Sequence, residues 1–147
     1  MIMKKCKVLF LCNGNSARSQ MAEGILRWHN GEQFEVFSAG VEPKGINPLT
    51  IEVMNELGYD MSEHRSKFLS EFAGVSDFNY IITMCSEAEE NCPIFPGKGI
   101  KLHWAFDDPA AVAGTKEEKL NKFRQVRDQI DCKMLDWMTE IGYLATA

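Results

Sequence analysis

The sequence has no uninterrupted apolar run approaching the roughly 20 residues of a membrane-spanning helix. Its opening, Met1-Ile2-Met3-Lys4-Lys5, leads into a short apolar stretch with no small-residue cleavage site of an export signal. A cytoplasmic location and no membrane partner are therefore expected. Positive charge is also in deficit, with 16 Lys and Arg against 21 Asp and Glu and a formal net charge of −5. That balance excludes broad electrostatic attraction to nucleic acid or anionic lipid, so an anionic ligand must be captured by a local site. Histidine is scarce, at three residues, and no cysteine or histidine spacing matches a zinc site, so no metal is expected. Cysteine is not scarce. The five thiols, Cys6, Cys12, Cys85, Cys92 and Cys132, do not make a disulfide scaffold in a cytoplasmic chain of 147 residues. Reduced thiols are expected instead, some of them redox-active.

The length suits one domain over residues 1–147, able to bury about two-thirds of its unfolded surface, and no repeat, linker or low-complexity tract divides it. Lys5 to Leu11 reads as a buried central strand, with Cys6 as small apolar filler. Ser16 is placed to cap a helix over 17–30 whose stripe is Met21, Ile25, Leu26 and Trp28. Gln33 to Ser38 alternates as a second strand closed by Ala39-Gly40, and Asn47-Pro48 opens a second helix stopped by Gly58. A short helical piece over 67–72 precedes a third strand, 78–84. Ser86 then opens an acidic turn or helix, Glu87-Ala88-Glu89-Glu90-Asn91. A fourth strand, 100–106, a loop over 107–115 and a long helix over 116–141 complete the chain. Strands alternating with helices predict an α/β domain, a four-stranded parallel sheet flanked by helices. Ligands of such sheets bind at the carboxyl ends of the strands.

Three segments end there on reactive residues: the first strand on Cys12, the third on Cys85, the fourth on Asp107-Asp108-Pro109. The first is the most telling. Asn13-Gly14-Asn15-Ser16-Ala17 leads from Cys12 to Arg18-Ser19 at a strand-to-helix junction, where loop amides and a helix N-terminus point at one spot. That field favours a cysteine thiolate, and the planar guanidinium of Arg18 suits a tetrahedral oxyanion.

The Cys12-to-Arg18-Ser19 signature with a late Asp-Pro resembles the low-molecular-weight protein tyrosine phosphatases. With Ser19-Gln20-Met21-Ala22-Glu23-Gly24, Cys85, Cys92-Pro93 and His103-Trp104-Ala105-Phe106-Asp107-Asp108-Pro109, the chain is similar to the thioredoxin-coupled arsenate reductases built on that fold. The resemblance implies a low-molecular-weight phosphatase-like fold and reduction of arsenate to arsenite. Residues 13–18 would hold the oxyanion, with phosphate or sulfate as competitors. Cys12 would be the nucleophile, Ser19 its hydrogen-bond donor, and Asp108, rather than Asp107, the general acid. Cys85 would attack the sulfur of the Cys12–arsenic adduct, Cys92 would attack Cys85, and thioredoxin would reduce the resulting disulfide.

If 86–91 were helical, Cys85 and Cys92 would stand about 10 Å apart, beyond the roughly 7 Å limit for a disulfide; oxidation is thus expected to loop the segment out. Some members of that family hold a monovalent cation near the loop through residues matching Asn15, Glu23, Ser38 and an aspartate. Lys67 takes the aspartate position, so cation binding is not expected and its ammonium stands in for the ion. No tightly bound cofactor is implied.

Plainer readings stand beside these. A cysteine ending an apolar strand is commonly packing, which applies most to Cys85 and, with it, Cys92. Cys6 and Cys132 are read as structural; His29, His64 and His103 as packing or capping; Trp104 and Phe106 as a strand packing pattern; Glu87, Glu89 and Glu90 as a solvated face. A second enzyme reading, phosphomonoester hydrolysis through a Cys12 phosphocysteine, uses Cys12, Arg18 and Asp108 alone. A third is an oxyanion-binding or redox regulatory module with little turnover. The loop cannot choose between reduction and hydrolysis; the downstream cysteines do.

Overall fold

The structure, a computed structural model, describes residues 4–75, 77–86, 89 and 92–143. Four parallel strands, β1 (Cys6–Cys12), β2 (Phe34–Gly40), β3 (Tyr80–Thr83) and β4 (Ile100–His103), form one sheet in the order β2-β1-β3-β4. Its helices are α1 (Arg18–Asn30), α2 (Pro48–Asn55) and α3 (Lys116–Glu140). β1 is central and Val8, Leu9, Phe10 and Leu11 are fully buried, which is why this strand reads as a continuous apolar run rather than an alternating one.

The strand period of two sends alternate side chains into two cores. Val8 and Phe10 pack among Met21 and Ile25 of α1, Val53 and Met54 of α2, and Phe123, Ile130 and Met134 of α3. Leu9 and Leu11 meet Ala39, Phe72, Phe78, Ile81 and Phe95. All three helices thus share one face. The other is closed by an aromatic cluster in which Phe37, Phe72, Phe78 and Phe95 meet edge to face at 5.6–6.0 Å.

Most sequence-predicted boundaries lie within two residues of the observed ones, and the exceptions are informative. The second strand runs through Ala39-Gly40, because Gly40 pairs with Cys12. The fourth ends at His103 rather than Phe106: after Trp104 N–H donates to Thr83 O (2.8 Å), the chain turns and the Phe106 carbonyl accepts from Arg18. The piece expected over 67–72 is a 3-10 turn, Leu69–Phe72. Asn47 caps α2 as expected, accepting from Leu49 N–H at 2.9 Å, and Gly58 follows with φ of +81°, a conformation that favours glycine. The long helix begins with a full capping box between Thr115 and Glu118.

Candidate active site

The five residues between β1 and α1 form a loop whose carbonyls all turn outward into protein donors. Asn13 O accepts from Glu42 N–H (2.9 Å), Gly14 O from Lys44 N–H (3.0 Å), Ser16 O from Asn47 N–H (3.0 Å) and Ala17 O from Met21 N–H (2.8 Å). Asn15 O accepts from Gln20 Nε2 (3.2 Å). The amides of these five residues have no acceptor among the described residues, so they form a concave ring of donors continuous with the N-terminus of α1. Two backbone features allow this. Asn15 takes a left-handed φ of 46°, which asparagine tolerates. Gly40 runs so close behind the loop that a Cβ there would stand 2.7 Å from Asn13 O and 2.9 Å from Asn15 N.

Ser16 does not cap α1. The N-cap is Ala17, with no side-chain bond to the first turn, while Ser16 O is taken by Asn47 N–H and, at 2.8 Å, by the Thr50 hydroxyl. A side-chain cap would consume an amide that an anion can use.

Behind the loop a buried chain of hydrogen bonds aims Ser19 at Cys12. Asn15 Oδ1 accepts from the backbone N–H of Lys67 (2.9 Å) and from Gln20 Nε2 (3.0 Å), which fixes its amide orientation. Asn15 Nδ2 then donates to Ser19 Oγ (2.7 Å) and Ser38 Oγ (3.0 Å). With its oxygen accepting there, the Ser19 hydroxyl is left to donate to Cys12 Sγ at 2.9 Å, stabilising a thiolate. Ser38 Oγ passes the chain on to Glu23 at 2.5 Å.

Arg18 is 3% exposed. Its Nη1 donates to Met84 O (3.3 Å) and Phe106 O (3.1 Å), the backbone just past β3 and β4. The guanidinium therefore ties the segments after β3 and β4 to the start of α1. Asp108 Oδ2 lies 3.9 Å from Arg18 Nη2, while Asp108 Oδ1 caps the 3-10 turn Pro109–Ala111 through Ala110 N–H (3.0 Å). Asp107 instead pairs with Lys122 of α3 at 2.9 Å. Of the two aspartates, only Asp108 lines the cavity of about 160 Å³ over Cys12, together with loop residues, Arg18, Lys44 and Glu89.

Cys85 and Cys92 are joined in a disulfide with Cα atoms 5.7 Å apart. Cys85 is fully buried, whereas Cys92 lines an open apolar groove with Ile81, Pro93, Ile94 and Phe95. Between them, Ser86 and Glu89 are not helical and close a turn, Glu89 N–H to Ser86 O at 3.2 Å. The remaining residues of the expected acidic turn or helix, Glu87, Ala88, Glu90 and Asn91, lie outside the described residues. Glu89 does not belong to a solvated face. Its carboxylate accepts from Arg18 Nη1 (2.5 Å), Arg18 Nη2 (2.8 Å), Asn13 Nδ2 (2.8 Å) and the Ser86 backbone N–H. Hydrogen bonding from Arg18, with the Ser86 amide and the Arg18 charge adding to it against partial burial, brings its pKa down to about 2.

The other residues singled out in the sequence fall as follows. Lys67 Nζ stands 3.8 Å from Glu23 Oε1 and donates to Arg65 O at 2.7 Å; burial lowers its pKa against the pull of Glu23. His64 is buried between Tyr59 and Gln20, His29 pairs with Asp131, and His103 meets Thr83. Trp104 packs against Phe10 and Trp137. Cys6 is buried and Cys132 exposed. Lys44 and Glu89 are the site residues that sequence reasoning missed.

A family model described as low molecular weight phosphotyrosine protein phosphatase matches residues 7–144. An arsenate reductase of Halalkalibacterium halodurans is 43% identical over 140 residues, covering 95% of this chain and 99% of that protein. A solved arsenate reductase in a phosphate-binding state superposes with a TM-score of 0.74 at 30% identity, over 94% of this chain and 99% of its own. A thioredoxin-dependent arsenate reductase of Corynebacterium glutamicum gives a TM-score of 0.69 at 28% identity, over 97% of this chain and 64% of that one. On its loop, its sheet and these matches, the chain belongs to the low molecular weight phosphotyrosine protein phosphatase family.

Proposed function

We propose that this chain reduces arsenate to arsenite with Cys12, Cys85 and Cys92 as its thiols and thioredoxin as its reductant. The observation that carries the reading is the Cys85–Cys92 disulfide next to the Cys12 loop, which hydrolysis does not need. The Cys12 thiolate attacks arsenic in line, and the departing oxygen takes a proton from Asp108 and leaves as water. Loop amides and Arg18 hold the remaining oxygens. Cys85 thiolate then attacks Cys12 Sγ; the sulfur–arsenic bond breaks with its electron pair moving to arsenic, and arsenite departs from a Cys12–Cys85 disulfide. Cys92 thiolate attacks Cys85 and frees Cys12 as thiolate. The structure corresponds to the state after that exchange.

Thioredoxin's dithiol reduces Cys85–Cys92, attacking first at Cys92 because Cys85 is fully buried. Ile94, 84% exposed beside Cys92, gives the approach an apolar margin. No helix among the described residues is long and apolar enough to cross a membrane. A cytoplasmic setting fits regeneration by a dithiol, which needs a reducing compartment. Residues 1–147 act as one arsenate reductase domain in this reading, and phosphate or sulfate compete for the same loop.

The test follows NADPH oxidation with thioredoxin, thioredoxin reductase and arsenate, comparing wild type with Cys92→Ser. Wild type turns over continuously, and the variant releases about one arsenite per chain and stops. Sustained turnover in Cys92→Ser refutes the three-thiol relay. Rapid hydrolysis of an aryl phosphate with no arsenate-dependent NADPH oxidation in wild type would establish the phosphatase reading instead.

A further inference from the structure

The best-formed contact in the site is made by a residue that the relay does not use. Arg18 Nη1 donates to Met84 O and Phe106 O. The same nitrogen and Nη2 meet the two oxygens of the Glu89 carboxylate, one each, in the cavity over Cys12. Asn13 Nδ2, another loop group, donates to the same carboxylate. Each carboxylate oxygen thus accepts two donors, in the paired, planar arrangement that suits carboxylates and tetrahedral oxyanions alike. We propose that, while Cys85 and Cys92 are joined, the Glu89 carboxylate is the ligand of the oxyanion site and competes there with arsenate and phosphate until thioredoxin opens the disulfide.

The coupling to redox state follows from chain geometry. A helix over this span would hold the two Cα atoms about 10 Å apart; at 5.7 Å Cys85 and Cys92 do not stand at the ends of such a helix. Ser86 N–H and Glu89 then close on each other, and the side chain is delivered to Arg18. The low pKa of Glu89, about 2, means the carboxylate is fully charged at any physiological pH. The consequence is chemical order. When the second disulfide forms, Cys12 is again a thiolate, but Cys85 is not available to attack an adduct. Arsenate bound at that moment would be captured without being reduced. An internal carboxylate on Arg18 withholds the site for that interval, and reduction releases it together with Cys85.

The inference rests on the reading of the Cys12 loop as an oxyanion site, and the test separates the two. Inorganic phosphate is titrated calorimetrically into the protein in its fully reduced and its Cys85–Cys92-oxidised forms, for wild type, Glu89→Gln and Glu89→Ala. In the oxidised form the variants bind phosphate about tenfold or more tightly than wild type, as expected for removing a charge-assisted pair. The gain is smaller in the reduced form. Equal affinities for wild type and variants in the oxidised form, or equal gains in both redox states, overturn the proposal. No phosphate binding by reduced wild type overturns the oxyanion site itself and the proposal with it.

Discussion

Two stretches of eight residues, 12–19 and 85–92, each begin with a cysteine at the carboxyl end of neighbouring parallel strands, yet they are held in opposite ways. In the first, five carbonyls have protein donors and Asn15 is saturated by four partners within the core. In the second, the described contacts are the disulfide, a turn between Ser86 and Glu89, and the Glu89 carboxylate reaching into the first stretch. An oxyanion site works best when its donors are in place before the charge arrives, because no reorganisation is then needed during reaction. A thiol that must meet two different sulfurs in turn needs the reverse. Changes to the first stretch should therefore act on affinity and rate at every step, and changes to the second only on the redox-dependent steps.

The sharpest way to break this contrast is Arg18→Lys. Lysine keeps the charge but loses the planar pair of donors, and a single ammonium on a flexible stem does not reproduce the fixed guanidinium that meets Met84 O and Phe106 O. Steady-state kcat/KM for arsenate is expected to fall roughly 10²- to 10³-fold, with phosphate affinity falling in both redox states. Unchanged phosphate affinity in the reduced form, with a gain in the oxidised form, would mean that Arg18 serves Glu89 rather than the substrate.

Asn15→Ala is next in size. It deletes the donor to Ser19 and Ser38 and strands the Lys67 amide without an acceptor. Stability measured by urea unfolding is expected to drop by about 1–3 kcal/mol. The rate should fall about tenfold, because Ser19 is no longer obliged to donate to Cys12. Full activity with an intact fold would show that the chain of hydrogen bonds supports the loop without orienting the hydroxyl.

The same contrast explains what could be read from the sequence. The sheet, the helix starts at Asn47-Pro48 and Thr115, and the strand-to-helix turn at Cys12 depend on residues near one another in the chain, where periodicity and capping carry the signal. The choice of Asp108 over Asp107 rests on resemblance; in the structure Asp107 pairs with Lys122 and Asp108 lines the cavity over Cys12. Ser16 looked like a cap because its type fits one, although the loop's geometry assigns its carbonyl to α2. Glu89 was illegible for another reason. Its neighbours in sequence are acidic and polar, and its partner lies 71 positions away. Lys44, at the rim of the cavity, likewise sits in a loop without periodicity.

The smallest effect concerns the support of the first stretch and its response to acid. Gln20 Nε2 donates to Asn15 and to Arg65 O, so Gln20 Oε1 must accept at 2.9 Å from His64 Nδ1–H, and His64 Nε2 accepts from the Tyr59 hydroxyl at 2.6 Å. Those partners fix the neutral ring. Burial lowers its pKa below 6.5, as do Arg27 and Lys67, against the pull of Glu23 and Asp60. Because the folded form holds its proton less tightly, the unfolded chain binds more protons in the window just below pH 6.5, and stability falls as pH drops through it. His64→Gln removes the titration while an amide can still meet both neighbours. Urea unfolding between pH 7 and pH 5.5 should show a steeper loss in wild type than in His64→Gln, by at most one proton in slope. Parallel slopes in the two proteins would mean that the ring is not held neutral, and that the hydrogen-bond chain from His64 through Gln20 to Asn15 does not carry acid sensitivity to the loop.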